Sequence, residues 1–390
     1  MDEQLRRTQT YGVDPVELFF DLVFVFAVSQ LTYHLRDHLS GRGIAQTAVI
    51  LLAVFTVWYY TSWEATLVRI ERTRTVAMMV TVLFVGLFMN AAVTSAFTGS
   101  GWNFAVPFLL IQLGRGLWTL LNAPNAIWRD HYRRTILWLL TSSPLWVVGA
   151  AVDPVHRLYW WAAAAAHDLV GTWLGHPVPG RRLHSQSVGL AESGHMLERC
   201  RLFLIIALGE TILSTGVAIA AVPMTVMTLA TGLAALIVTA ALWMIAYGGP
   251  GHLVVRHLEK TRDPIHATRM AGNVLTVMVA GLIAAAAAFE MAITHPHGHP
   301  SAALSLLLFG GPILFLLAQG WYLWAVPRIN PRRWLVGSAA LALAGTAAGA
   351  LAPPYAALLV AAAASAAAAT VITRFAPTPA EPARGDGHRH

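Results

Sequence analysis

One cysteine, Cys200, among 390 residues excludes an internal disulfide, and its place in an apolar run reads as simple packing. Charge is scarce as well: Asp, Glu, Lys and Arg supply 12% of the chain, about half the share of an ordinary soluble protein. No polar stretch is long enough to fold as a separate soluble domain. The sequence also lacks GxSxG, HExxH, P-loop and CxxC motifs, and with them the signatures of common hydrolases, metalloenzymes, ATPases and redox sites. Together these absences exclude a soluble enzyme, a secreted disulfide scaffold and a nucleic-acid module. The net charge of +7 does not bring nucleic acid back, because the 26 basic residues sit in short clusters between apolar runs, as suits anionic lipid head groups. The expected partners are the lipid bilayer and a small ion or polar solute, with no nucleic acid; the sequence is also compatible with a homo-oligomer.

What the chain has in excess is apolar surface, 56% hydrophobic residues at a mean hydropathy of +0.59. Twelve apolar runs can be marked, at 15–36, 44–64, 75–97, 102–124, 134–152, 155–175, 197–220, 223–247, 268–294, 301–325, 334–352 and 354–373. Runs such as Thr75 to Phe97 are continuous and apolar on every side, so an all-α polytopic membrane protein is expected rather than a barrel. The opening MDEQLRRTQTYG precedes a span too long for the core of a cleavable signal. Only Pro353 and Pro354 divide the last two runs, and Ala361 to Ala369 is nearly all alanine. Two full spans and a short re-entrant hairpin both fit this region.

Basic residues set the expected orientation, since loops rich in Arg and Lys stay in the cytoplasm. With the N-terminus inside, 22 of them fall on the inner side, and only Arg36, Arg42 and Arg157 on the outer. An even number of spans, N-in and C-in, follows. The chain also repeats itself. Glu17-Leu18 and Glu198-Arg199 open long apolar helices that carry Ser29-Gln30 and Glu210-Thr211 at matching offsets. A Glu-[Arg/Lys]-Thr-Arg core recurs in Glu71 to Arg74 and Glu259 to Arg262, at an offset of 188 where the helix openings differ by 181. Two parallel six-helix repeats are therefore expected. The division is 1–14 as a cytoplasmic N-terminal segment, 15–175 and 197–373 as the repeats, 176–196 as a cytoplasmic linker and 374–390 as a disordered tail.

A charge near a helix centre costs about 2.5 to 3.5 kcal/mol on insertion scales, so buried ionisable residues mark the candidate site. Glu17 and Asp21 share one face of the first helix, followed by Gln30 and His34 near the outer boundary. For Glu17 and Asp21, anchoring to loop arginines competes with a functional role. On the seventh helix His195, Glu198 and Arg199 stand at i, i+3 and i+4, with Glu210 roughly 16 Å further along. Arg115 needs an anion, for which Glu210 and Asp168 are the candidates; adjacent His167 and Asp168 cannot share one helix face. Asn90, Gln112, Asn122, Asn125, Glu64, Asn273 and Glu290 complete the polar inventory. A metal on His195 and Glu198 would lack further ligands, and His295-Pro296-His297-Gly298-His299 reads as an exposed connector, so neither metal nor cofactor is expected. Trp58, Tyr59, Tyr60 and Trp63, with Trp160 and Trp161, read as interfacial belts.

With Val16-Glu17-Leu18-Phe19-Phe20-Asp21-Leu22-Val23-Phe24-Val25-Phe26-Ala27, His195-x-x-Glu198-Arg199 and Leu208-Gly209-Glu210-Thr211 in view, the chain resembles the bacterial low temperature requirement A (LtrA) family up to about residue 373. The resemblance implies a multi-pass inner-membrane protein of a family named for a requirement for growth in the cold. Cys200-Arg201 departs from the bulkier, less charged pair expected there. A fainter similarity, architectural only, is to two-repeat lysosomal potassium channels. The favoured expectation is a transporter or channel for a small ion or polar solute. In it Asp21 and Glu210 bind or couple the cation, Arg115 and Arg199 are counter-charges, and Glu17, Asp168, His195 and Glu198 complete the polar core. No residue is assigned a catalytic role. The alternatives are an intramembrane enzyme acting on lipid or a lipid-linked substrate through Glu17, Asp21, His195 and Glu198, and a non-catalytic sensor or scaffold.

Overall fold

A computed structural model describes residues 13–68, 72–178, 190–248, 264–324 and 332–374. Apolar runs of this length satisfy their backbone groups internally, and the described residues form twelve α-helices and no strand. They are α1 (Pro15–Asp37), α2 (Gly41–Leu67), α3 (Arg72–Ala91), α4 (Trp102–Leu121), α5 (Ala126–Ala151), α6 (Pro154–Leu174), α7 (Leu190–Ala220), α8 (Val226–Tyr247), α9 (Pro264–Thr294), α10 (Ala302–Trp324), α11 (Arg332–Leu351) and α12 (Pro354–Arg374). Nine of these helices are long and apolar enough to cross a membrane, which makes this a multi-pass membrane protein. The other three fall short for visible reasons: α5 opens on Arg129, Asp130, Arg133 and Arg134, α6 carries Arg157, His167 and Asp168, and α11 starts at Arg332-Arg333 and is rich in Ala and Gly. At the C-terminal end there are two separate helices of 20 and 21 residues, each roughly 30 Å long, rather than a short hairpin.

Local signals explain the helix starts. Asp14 caps α1 in a reciprocal capping box with Glu17, and Asp153 accepts from Val155 and His156 to start α6 ahead of Pro154. Two boundaries differ from the apolar runs. Helix α3 stops at Ala91, and turns follow, because the carbonyls of Ala96 and Gly99 are turned onto the Arg157 guanidinium. Helix α7 begins at Leu190, so the expected linker 176–196 ends inside a helix. The expected N-terminal segment before Val13, most of that linker, the tail after Arg374 and the 69–71 and 255–262 parts of the repeated loop motif lie outside the described residues.

Helix α9 is central, packing on α7, α8, α10 and α12 and also on α1 and α2. Within the first six helices α1 meets α2 and α3, α2 meets α3, α4 and α6, and α3–α4, α4–α5 and α5–α6 are in contact; each of these pairs recurs six helices later. Between the two sets α1 and α2 touch α7 and α9. Small residues set the tightest crossing, between α9 and α10. A Cβ built on Gly281 would lie 2.5 Å from the Gly311 carbonyl oxygen, and one on Gly311 would lie 2.6 Å from the Gly281 oxygen. Both obstacles are backbone, which cannot swing aside. Gly281→Ala is expected to cost about 1–3 kcal/mol, read as a lowered thermal midpoint in detergent, whereas an unchanged midpoint would show that the two helices separate freely.

Candidate functional site

The α1–α7 contact joins four ionisable side chains from the two ends of the sequence. Arg199 donates from Nη2 to Asp21 Oδ1 at 2.6 Å and to the Glu17 carbonyl at 3.3 Å, and its Nη1 is 3.6 Å from Glu17 Oε1. His195 Nε2 lies 3.0 Å from Glu17 Oε1. Trp58 of α2 donates from Nε1 to Asp21 Oδ1 at 2.7 Å, and the Arg199 guanidinium sits 5.7 Å from the Phe20 ring centre. Asp21 and Arg199 are 0% exposed, and Glu17 and His195 are buried. Among the described residues Asp21 Oδ2, Arg199 Nε and His195 Nδ1 have no hydrogen-bond partner. Two carboxylates thus face one guanidinium and one imidazole in a buried site.

Glu17 and Asp21 are therefore held by α7 rather than anchored to loop arginines. Glu198 does not join them: it turns outward to Arg201 at 3.1 Å, and both side chains are well exposed. The four residues considered for lipid chemistry, Glu17, Asp21, His195 and Glu198, do not share one pocket. Trp58 is 0% exposed, and Tyr60, Trp63 and Trp161 are buried with it. These aromatics pack the interior instead of forming an interfacial belt, while Trp160 stays exposed as that reading required.

A second buried pair lies in the first six helices. Arg115 of α4 donates from Nη1 to Glu64 Oε1 of α2 at 2.6 Å with both side chains at 0% exposure, and also bonds Gln112. Its anion is thus Glu64, not Glu210 or Asp168. Asp168 instead accepts from Trp146 Nε1 at 3.1 Å, and His167 pairs with Thr141 Oγ1 at 3.0 Å. The Arg115 guanidinium stacks 4.8 Å over Tyr60, whose hydroxyl reaches Thr172 Oγ1 at 2.8 Å and His176 Nε2 at 3.4 Å. Burial pushes His176, in the loop after α6, down to about 3, with nearby His131, Arg134, Arg115 and Arg269 adding to the effect, so its imidazole stays neutral. At the matching corner of the second six helices the bridge is uncharged: Gln319 of α10 donates to the Ile245 carbonyl of α8 at 2.8 Å, 181 positions after Glu64.

Glu210 stands apart from both clusters. It is buried near the middle of the α7 run, and its carboxylate accepts from Ser214 Oγ at 3.0 Å. Among the described residues no Arg, Lys or His pairs with it. The hydroxyls of Thr211 and Thr239 meet at 3.2 Å nearby, and Tyr33 of α1 lies within electrostatic reach of Glu210 and Glu290. Glu290 itself pairs with Arg36. Arg157 was legible only as an outer-side charge, but it is buried and donates to the carbonyls of Ala96, Gly99, Gly149 and Val152. Among the described residues no three His, Cys, Asp or Glu side chains gather as metal ligands.

The family model for the bacterial low temperature requirement A protein (LtrA) matches residues 12–371. The chain belongs to the LtrA family. Both buried charge clusters and Glu210 fall inside the matched region. The chain is also similar to an uncharacterized protein of Rhizobium meliloti (strain 1021), 32% identical over 328 residues, which cover 82% of this chain and 79% of that protein. No solved structure matches the LtrA-family chain.

Proposed function

We propose that this LtrA-family protein is an inner-membrane transporter or channel for a proton or small cation, built from two parallel six-helix repeats with both termini in the cytoplasm. Glu210 carries the reading. A carboxylate midway along a membrane helix needs a positive partner, and among the described residues this one meets only a serine hydroxyl. A mobile cation supplies the missing partner, and taking it up and releasing it is what a coupling carboxylate does. The Ser214 hydroxyl beside it offers an oxygen ligand of the kind a small hard cation takes. The recurring helix contacts support the repeat, and the α1–α7–α9 contacts support a path between its halves.

The Asp21–Arg199–Glu17–His195 cluster has a different role in this scheme. Arg199 fixes the α1–α7 contact, and His195 bonds Glu17 beside it. The test is an ion-flux screen of the purified protein in liposomes at several pH values. A proton, Na⁺ or K⁺ flux that exceeds the leak of empty vesicles and varies with pH is expected; no flux above leak for any of them at any pH overturns the reading.

A further inference from the structure

We infer that a pocket between α7, α8, α9 and α10 binds one anionic phospholipid, with a few carbons of one acyl chain inside and the head group at Arg201. The pocket, of about 90 Å³, has room for a few methylene groups of a chain whose remainder lies along the open side. Leu197, Leu204, Val274, Leu275 and Met278 give it an apolar wall that runs for roughly 10 Å of α7. Such a space among oily side chains suits hydrocarbon better than any polar solute.

Its polar lining is of another kind. Arg201, half exposed, sits 5.8 Å over the Tyr247 ring, and the Tyr247 hydroxyl donates to the Arg201 carbonyl at 2.5 Å. Tyr322 also lines the pocket, and its hydroxyl makes no hydrogen bond among the described residues. Arg201 spends one nitrogen, Nη1, on Glu198, leaving the rest of its fork for a phosphate. Tyr247 ends α8 just before the segment bearing Arg256, Lys260 and Arg262, so basic-loop orientation puts this mouth at the cytoplasmic leaflet. Charge complementarity at the mouth and an apolar interior select an anionic amphiphile. A zwitterionic lipid would fill the same space without the phosphate's net charge meeting Arg201. The pocket lies apart from Glu210 and does not depend on transport.

Native mass spectrometry of the full-length protein in detergent, titrated with phosphatidylglycerol or phosphatidylcholine, tests this. The intact protein is expected to retain one phosphatidylglycerol and to prefer it clearly over phosphatidylcholine. Arg201→Gln, at an exposed position that the fold tolerates, should abolish the preference. Glu198→Gln, which frees the guanidinium, should strengthen it. Leu204→Trp, which fills the shaft, should weaken retention of both lipids. Glycerol 3-phosphate at the same concentration should displace nothing, which separates a lipid from a free phosphate ester. Equal retention of both lipids by the intact protein, or an unchanged preference in Arg201→Gln, overturns the inference.

Discussion

Replacing Arg199 by leucine is expected to destabilise the protein by about 3 kcal/mol or more, the loss that follows when one partner of a buried ion pair is removed. Asp21 is 0% exposed and has two donors, Arg199 and Trp58, so the variant leaves its charge with an indole N–H alone. Glu17 keeps His195 but loses the guanidinium beside it. Arg199→Lys should fall between the two, because a single ammonium cannot reach both the Glu17 carbonyl and the Asp21 carboxylate as the guanidinium does. Adding Asp21→Asn to Arg199→Leu should recover much of the loss, since the amide oxygen still accepts from Trp58 and no stranded charge remains. Thermal unfolding in detergent measures all four proteins. An Arg199→Leu midpoint equal to that of the unchanged protein would show that water reaches this contact.

The second large effect is on activity alone. Glu210→Gln keeps an oxygen for Ser214 Oγ and removes only the ionisable proton, so the thermal midpoint should move little while pH-dependent flux falls to the level of empty vesicles. Glu210→Asp retains the chemistry one methylene short and should retain part of the flux. This separation matters because a stability defect lowers every readout together. Full flux with an unaltered pH profile in Glu210→Gln would remove the residue from the mechanism.

The apolar runs made the helices legible because a span of about 20 residues must satisfy its own backbone in lipid, whatever surrounds it. Where sequence and structure part, a distant side chain is responsible. Helix α3 stops at Ala91 although the apolar run continues to Phe97, because Arg157, more than fifty residues away, collects the carbonyls that follow. Trp58 and Tyr60 have the composition of an interfacial belt, and the inward face of α2 that buries them on Asp21 and Arg115 shows only once the helices are packed.

The sequence alone determined that this chain lives in a membrane, that nearly all of it is helical, and that Glu17, Asp21, Arg115, His195, Arg199 and Glu210 are the costly residues needing an explanation. It also determined the family, through strings of adjacent residues that need no fold to be read. Which charges meet was decided by tertiary structure: Arg199 with Asp21 and Glu17, Arg115 with Glu64, Glu198 outward on Arg201 and, among the described residues, Glu210 with a hydroxyl alone. The reason is geometric. A period of 3.6 residues tells which side chains share a face, but the partner of that face is set by how helices far apart in the chain cross and rotate against one another.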